Sequence, residues 1–285
     1  MDNRIKILGV VVTYYPKPKE LLDNLAQYLD FIDYLIIWEN TPSEDKAYKI
    51  EIPPQYWSKV SFMGIGKNMG IAYPLNRAVE WGIEYGFTHL LTMDQDSKWQ
   101  DFSLYKKEIE SYASNEKIAL FTPKILNVNA NKFIENNLGI ITSGAMVSMN
   151  VFKNDKKYAE DYFIDNVDYE FYYYLLSKGY MSLQTSQGVL LHSLGYYKNN
   201  SQFLNLSFAP QNYSAFRLFY ITRNGFWLWR DYHKLNVLPI GWSLYNVVLR
   251  MVKRSIKVLL AETHKKAKLK AIALGFYYGV WSRRS

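Results

Sequence analysis

Ile5-Lys6-Ile7-Leu8-Gly9-Val10-Val11-Val12-Thr13 is a mostly β-branched and aliphatic run, the form a strand takes when both of its faces are covered in a parallel sheet. It reads as the first and central strand. Tyr15-Pro16-Lys17-Pro18 ends it, a helix is predicted over 20–29 with Leu21, Leu22, Leu25 and Leu29 at helical spacing, and 34–38 makes a second buried strand. The alternation repeats with a strand over 60–63, a helix over 70–85, a strand over 89–93 and another over 117–121. This pattern predicts an α/β fold, a mostly parallel sheet flanked by helices, with ligands bound at the carboxyl ends of the strands. Beyond Phe121 comes an Asn-rich stretch of loop and short strands up to Ser148, then a helix over 167–178 and a strand over 188–191. From Ser214 the chain reads as mostly helical and strongly aromatic.

The chain has 285 residues, 49% hydrophobic and 21% charged, with no low-complexity tract, which excludes disordered and fibrous classes. Cysteine is absent, so disulfides, thiolate metal sites, Cys nucleophiles and CxxC redox chemistry are excluded together. Met1 to Lys6 leads into the first strand without a signal-peptide core, which sets the expectation of a cytoplasmic protein. The longest apolar stretch, 235–249, is interrupted by Asn236, Pro239, Gly241 and Asn246, short of a membrane span. Of the formal charge of +8, residues 241–285 contribute ten Lys or Arg against one acidic residue, leaving a near-neutral body with a basic tail. Such asymmetry points to a polyanion or an anionic membrane surface rather than to nucleic acid.

Polar clusters after the strands are the places to look for chemistry. Asp94-Gln95-Asp96 follows the fourth strand, where two carboxylates two positions apart can hold a hard divalent cation that also bridges two phosphates of a nucleotide. Asn68-Met69-Gly70, with Asn76 further along, sits where a loop becomes a helix, and Gly70 permits close backbone approach to a diphosphate; Asn68 can equally be a plain helix cap. Thr13-Tyr14 and Glu39-Asn40-Thr41, after the first two strands, are placed to frame a base and ribose. Asp165-Asn166-Val167-Asp168-Tyr169-Glu170 puts three carboxylates at a helix start, where the dipole stabilises them and where one can serve as general base toward an attacking hydroxyl. His192 follows a strand and can ligate metal or phosphate, or be only a hydrogen-bonded structural residue. Trp227 and Trp229 are candidate platforms for sugar rings.

These pieces, with Val11 to Tyr14, Asn68 to Ala72 and Asn76, Asp94 to Ser97, Thr142-Ser143-Gly144-Ala145, Asp165 to Phe171, His192-Ser193-Leu194-Gly195 and Arg223-Asn224, resemble in order and spacing the family 2 glycosyltransferases of GT-A fold, in particular bacterial rhamnosyltransferase-like members. The resemblance covers residues 5 to about 225. It implies a Rossmann-like GT-A domain over 1–225, with a nucleotide-sugar half (1–125) and an acceptor half (126–225), and an inverting, metal-dependent transfer using Mg²⁺ or Mn²⁺. The donor is a nucleoside diphosphate sugar, dTDP-rhamnose favoured and a UDP-hexose possible. The acceptor is a hydroxyl of a lipid-linked saccharide in cell-surface polysaccharide synthesis. By the same resemblance Asp96, Asp94 and His192 hold the metal, and Asp168 is the base with Glu170 as its acidic follower and Asp165 as rival. Thr13, Tyr14, Glu39, Asn68, Gly70, Asn76, Asp94 and Gln95 bind the nucleotide sugar, and Ser143, Gly144, Arg223 and Asn224 the acceptor. Glu39 departs from the family, which usually has Asp there.

Two other functional classes share parts of this pattern. A sugar-phosphate nucleotidyltransferase needs a glycine-rich basic loop after the first strand, and Thr13-Tyr14-Tyr15-Pro16 is not one. A non-enzymatic membrane- or polyanion-binding module would rest on the tail at 226–285. There Arg250, Lys253, Arg254 and Lys257 recur at helical spacing opposite Val248, Leu249, Val252, Ile256 and Leu259, and Lys265, Lys266, Lys268 and Lys270 extend the charge. Such a helix suits an anionic membrane interface, with Phe276-Tyr277-Tyr278 and Trp281 at headgroup depth, or it packs on the domain with its basic side in water. The membrane reading makes this a peripheral protein on the inner face of the cell membrane.

Overall fold

The computed structural model describes residues 5–129, 131–134, 141–153, 156–192, 201–203, 206–208, 212–282 and 284. Residues 1–4, on which the absence of a leader was read, lie outside them, as do parts of the Asn-rich stretch and Ser193-Leu194-Gly195. The chain packs as two compact units, one formed by Met1–Glu160 with Lys178–Ser193, the other by Asp161–Ser177 with Leu194–Ser285.

In the first unit β1 (Ile7–Thr13) is buried nearly throughout, as its sequence demands. It is followed by α1 (Pro18–Leu25), β2 (Tyr34–Glu39), β3 (Val60–Met63), α2 (Ala72–Glu84), β4 (His89–Asp94), the two-residue β5 (Lys98–Trp99), α3 (Phe102–Ser111), β6 (Ile118–Asn127), β7 (Lys132–Phe133), β8 (Ala145–Ser148) and, after an excursion into the second unit, β9 (Met181–His192). The sheet order is β3-β2-β1-β4-β8-β6-β9-β5, with β7 on β6. The strands β3, β2, β1 and β4 are parallel, as the alternation predicts. The other half is mixed: β8 inserts antiparallel between β4 and β6, and β9 runs parallel to β6. Alternate residues of β1 point to opposite faces. Ile7 and Val11 join Leu21 and Leu25 of α1 and Tyr105 and Ile109 of α3 in one core, while Leu8 lies beneath Gly82 of α2.

Two departures from the sequence reading have clear causes. The strand expected to end at Phe121 continues to Asn127, because Pro123 sits at a register shift between Thr122 and Lys124 where the ladder needs no N–H from it. Asn68 does not cap α2; its Oδ1 accepts from Gly70 N–H (2.9 Å), and the helix begins at Ala72. Register puts Thr13 beside Glu39 and Val12 beside Asp94, so the ends of β1, β2 and β4 form one edge.

The second unit holds α4 (Val167–Ser177), the hairpin β10 (Ser201–Phe203) and β11 (Leu206–Phe208), and three helices, α5 (Ala215–Tyr232), α6 (Leu244–Ala261) and α7 (Lys265–Trp281). The sequence boundaries at 125 and 225 fall inside β6 and α5, which run unbroken through them. The helical C-terminal extension is present. Lys268, expected to extend the charge of the tail, is buried in an ion pair with Glu262 (2.7 Å). Among the described residues no helix is long and apolar enough to cross a membrane.

The close approach of α5 and α7 depends on Gly275 and Gly279. A Cβ on Gly275 would lie 2.6 Å from the Phe219 carbonyl oxygen, and one on Gly279 3.1 Å from that of Arg223. Backbone cannot yield as a flexible side chain would. Gly275→Ala is therefore expected to destabilise the protein by about 1–3 kcal/mol, read as a lowered midpoint in urea unfolding followed by tryptophan fluorescence.

Candidate active site

β4 delivers Asp94 at its carboxyl end, and the turn Asp94-Gln95-Asp96-Ser97 leads directly into β5. β5 pairs antiparallel with the end of β9, Lys98 opposite Leu191, which brings His192 back to the turn. One ligand atom each from Asp94, Asp96 and His192 lie within 4.8 Å of one another. Asp96 is exposed, Asp94 partly so, and His192 is buried at 9% exposure. His192 Nδ1 and the Oγ of fully buried Ser97 are 2.7 Å apart. With Nδ1–H donating to that hydroxyl, Nε2 keeps its lone pair for a ligand. Two carboxylate oxygens and an imidazole nitrogen form a donor set that suits a first-row divalent cation such as Mn²⁺, so the three residues predicted to hold a metal meet in one place.

Buried polar residues hold this turn in shape. Ser143 Oγ accepts from Asp94 N–H (3.0 Å), Asn24 Nδ2 donates to the Gln95 carbonyl (2.9 Å), and the Gln95 carboxamide bonds both backbone groups of Tyr14, accepting from its N–H (2.8 Å) and donating to its carbonyl (3.1 Å). Gln95, expected at the nucleotide, thus ties the β1 loop to the turn. Ser143, expected at the acceptor, is fully buried. Gly144 follows at φ +79°, its N–H donating to Thr92 and its carbonyl accepting from Tyr105 Oη, so it too serves the scaffold.

The remaining nucleotide residues divide in the same way. Tyr14 is 46% exposed at the strand edge, and Glu39 is partly exposed in an ion pair with Lys46 (2.7 Å). Gly70 has φ +72°, which a side chain would strain. Thr13, by contrast, is fully buried and donates to the Trp38 carbonyl. Asn76 is 1% exposed, exchanging bonds with the backbone of Tyr158 (2.8 and 3.0 Å) and donating to Glu160 (2.7 Å), so it pins the chain before Glu160 to α2. Sequence reasoning gave no separate role to Asn40, which organises the loop: its Oδ1 accepts from Met69 N–H and its Nδ2 donates to the Gly70 carbonyl (2.6 Å). A cavity of about 470 Å³ lined by His89, Met149 and Lys153 lies at the other end of β4. Burial lowers His89 to about 4 and keeps it neutral, and no carboxylate pair accompanies it.

The second unit contains the carboxylates of the predicted base. Asp168, in the first turn of α4, is partly buried and its Oδ1 accepts from Tyr169 N–H (2.9 Å). Its rival Asp165 is held by Arg217, whose Nε and Nη2 donate over 3.0–3.3 Å. Glu170 is buried at 3% exposure and accepts from Tyr232 Oη (2.9 Å), which ties α4 to α5. The loop ahead of α4 is strained, with Phe163, Asp165 and Asn166 all near φ +60°. Asn224 restrains it, donating to the carbonyls of Tyr162, Ile164 and Asp165 (2.8–2.9 Å) while itself fully buried. Arg223 bonds the Asp161 carbonyl and lies 3.9 Å from the centre of the Trp227 ring. Arg223 and Asn224, expected at the acceptor, brace the loop that carries the carboxylates. Trp227 is buried at 4% exposure, which removes it as a sugar platform.

No family model matches the chain. Over 93% of its length it is 26% identical to dTDP-rhamnosyl transferase RfbF of Shigella flexneri, covering 95% of that protein. Among solved structures it resembles the mannosyltransferase PcManGT from Pyrobaculum calidifontis in complex with GDP-Man and Mn²⁺, with a TM-score of 0.57 at 9% identity over 98% of this chain and 88% of that one. It also resembles S. aureus TarS 1–349 in complex with UDP-GlcNAc, with a TM-score of 0.56 at 12% identity over 97% and 82% of the two chains. The fold is that of the GT-A glycosyltransferases. The resemblance carried by the sequence motifs is borne out by these similarities.

Because Ser97 bonds His192, its loss is expected to weaken cation binding at this candidate site without dismantling it. Ser97→Ala should lower Mn²⁺ affinity by about ten- to a hundredfold, and Asp96→Ala should abolish binding, both read by titration calorimetry or Mn²⁺ EPR.

Proposed function

We propose that this protein is a glycosyltransferase that moves a sugar from a nucleoside diphosphate sugar, dTDP-rhamnose first and a UDP-hexose second, to a hydroxyl of a lipid-linked saccharide, with inversion and with Mg²⁺ or Mn²⁺. The observation that carries this reading is the convergence of Asp94, Asp96 and His192 at the carboxyl edge of β4. The name of the Shigella relative supports the choice of donor, and the Mn²⁺ in the mannosyltransferase complex supports the choice of metal.

A divalent cation held by the three side chains would offset charge developing on the leaving diphosphate. Everything else falls to the chain's own groups. Tyr14 and Glu39, at the ends of β1 and β2, are the accessible candidates for the base and ribose, and the backbone around Gly70 for the diphosphate. In a single in-line displacement the acceptor oxygen forms its bond to the anomeric carbon as the bond to the diphosphate breaks. Asp168 accepts the acceptor's proton, and no enzyme nucleophile is needed. Asp168 is preferred to Asp165 because it stands two residues before Glu170, as the family's base does before its acidic follower, while Asp165 is held by Arg217.

On α6 Tyr245, Val252, Ile256 and Leu259 fall within about 60° of arc at 100° per residue, yet they are 72%, 43%, 44% and 51% exposed. The apolar row is therefore not the packed side of the helix, and exposed Lys253 borders it on one side. An exposed apolar stripe with a basic border suits an anionic membrane surface and a peripheral location on the inner face of the cell membrane.

Thermal melts with dTDP, UDP and GDP, each with and without Mn²⁺, should give a rise for one diphosphate that requires the metal and is lost in Asp96→Ala. Asp168→Asn should retain that rise but lower kcat by about 10²–10⁴-fold, while Asp165→Asn stays within about tenfold of the parent. Near-normal turnover in Asp168→Asn would remove the base assignment. For the membrane surface, Ile256→Asp with Leu259→Asp should cut co-sedimentation with phosphatidylglycerol vesicles by about an order of magnitude or more while leaving the nucleotide response intact.

A further inference from the structure

The inward face of α6 carries a cation that the transfer chemistry leaves unused. Val247, Met251, Arg254 and Val258 recur at i, i+4, i+7 and i+11, and Val247 and Val258 are buried, the latter against Leu218 and Ile272 with Met251 at the margin. Arg254 thus stands in an apolar row, largely withdrawn from water, and burial lowers its pKa. A guanidinium in such a place is ordinarily paired, because an uncompensated buried charge is costly. The carboxylates whose fields reach Arg254 are Asp165 and Glu262. Both are already taken, Asp165 by Arg217 at 3.0 Å and Glu262 by Lys268 at 2.7 Å. Among the described residues Arg254 has no hydrogen-bond or ion-pair partner.

Arg250, one turn earlier, is exposed at the edge of the same face. It donates to the Gly241 carbonyl (2.6 Å) and lies 4.4 Å from the centre of the Trp242 ring, contacts that leave its charge uncompensated. Phenols face the pair: Tyr213 toward Arg254, and Tyr169 and Tyr173 toward Arg250. Burial pushes Tyr169 up to about 12, so it stays protonated and keeps an O–H to donate. Two guanidiniums about 6 Å apart along a helix, with phenolic donors beside them, match a ligand with two anionic centres. The planar fork of arginine fits phosphate oxygens in particular.

We infer that Arg250 and Arg254 form a binding site for a diphosphate group, and that the group belongs to the acceptor, a saccharide joined to its lipid through phosphate. The inference rests on the lipid-linked acceptor of the proposed function and names the chemistry by which that acceptor is held. Within the same unit, Tyr169 directly follows Asp168 on α4, so the site borders the residue assigned as base.

The test is run in EDTA, so that pyrophosphate has no metal through which to enter the donor site. Inorganic pyrophosphate should raise the melting temperature of the parent protein. Arg254→Met, which fills the space without the charge, should abolish that rise, melt no lower than the parent without pyrophosphate, and keep the Mn²⁺-dependent response to dTDP or UDP. Arg254→Gln gives a second, polar variant with the same expectation for pyrophosphate. Asp96→Asn should behave in the opposite way, keeping the pyrophosphate rise and losing the nucleotide response. Farnesyl diphosphate in phosphatidylcholine vesicles should bind the parent and lose at least about tenfold in affinity with Arg254→Met, whereas vesicles containing phosphatidylglycerol should bind both equally.

A pyrophosphate rise that persists in both Arg254 variants, or that vanishes in Asp96→Asn, overturns the site. So does a loss confined to phosphatidylglycerol vesicles, which would make Arg254 a contact for ordinary lipid headgroups. If the parent shows no metal-dependent nucleotide response but still loses its pyrophosphate rise with Arg254→Met, the donor reading fails and the anion site stands.

Discussion

Two carboxylates and an imidazole brought within 4.8 Å of one another are the demand that the first unit is built to meet. Asp94 and Asp96 repel each other, and a flexible turn would let them part. What prevents it is a shell of neutral hydrogen bonds that fix backbone rather than charge: Ser143 on the Asp94 amide, Asn24 on the Gln95 carbonyl, and the Gln95 side chain on Tyr14. The antiparallel insertion of β8 between β4 and β6 supplies Ser143, and the β5–β9 pairing supplies His192. The mixed half of the sheet is therefore the means by which distant residues reach the end of a parallel strand.

The parallel half was legible because its strands are near-continuous apolar runs, a pattern that buried strands produce and surface loops do not. The mixed half was harder to read. β5 has two residues, too few for any period, and β9 begins with the polar stretch Met181 to Gln187 before its apolar end. α3, Phe-Ser-Leu-Tyr-Lys-Lys-Glu-Ile-Glu-Ser, carries its buried side on Phe102, Tyr105 and Ile109, a row that goes unnoticed when the eye follows the strands on either side. Gly188 shows the same limit. It lies where a Cβ would meet Tyr105 at 2.4 Å, a helix-to-sheet contact that no local pattern encodes.

The candidate site was legible in its charges and misread in its amides and hydroxyls. Asp94, Asp96 and His192 meet as their positions after strands imply, since charged groups have few structural reasons to gather at a strand end. Thr13, Asn76, Ser143 and Asn224 occupy motif positions equally well but are buried at 1% exposure or less. Their side chains satisfy backbone groups that irregular loops would otherwise leave unpaired, and an unpaired buried carbonyl or N–H costs about 1–3 kcal/mol. A sequence cannot distinguish a polar residue that touches a ligand from one that shapes the loop touching it. Asn224 is the plainest case, since its carboxamide serves three carbonyls of a loop held in left-handed backbone.

The same distinction separates the basic residues of α6. Read as one cationic stripe, Arg250, Lys253, Arg254 and Lys257 have a common function, but exposed Lys253 and partly buried Arg254 lie on different sides of the helix. Lys253 flanks an apolar row that faces outward, so that side of the helix combines charge with greasy surface, the pairing an interface between water and lipid rewards. Arg254 turns inward on the side of Val258, partly withdrawn from water, and the nearby carboxylates are engaged elsewhere. A protein gains no stability by keeping an unmatched guanidinium there in place of methionine or leucine. On the inference drawn above, the charge has a physical rationale once an anion from outside the chain completes the pair, and an arginine half a helix turn from an exposed apolar stripe is placed to meet an anion that arrives attached to a lipid.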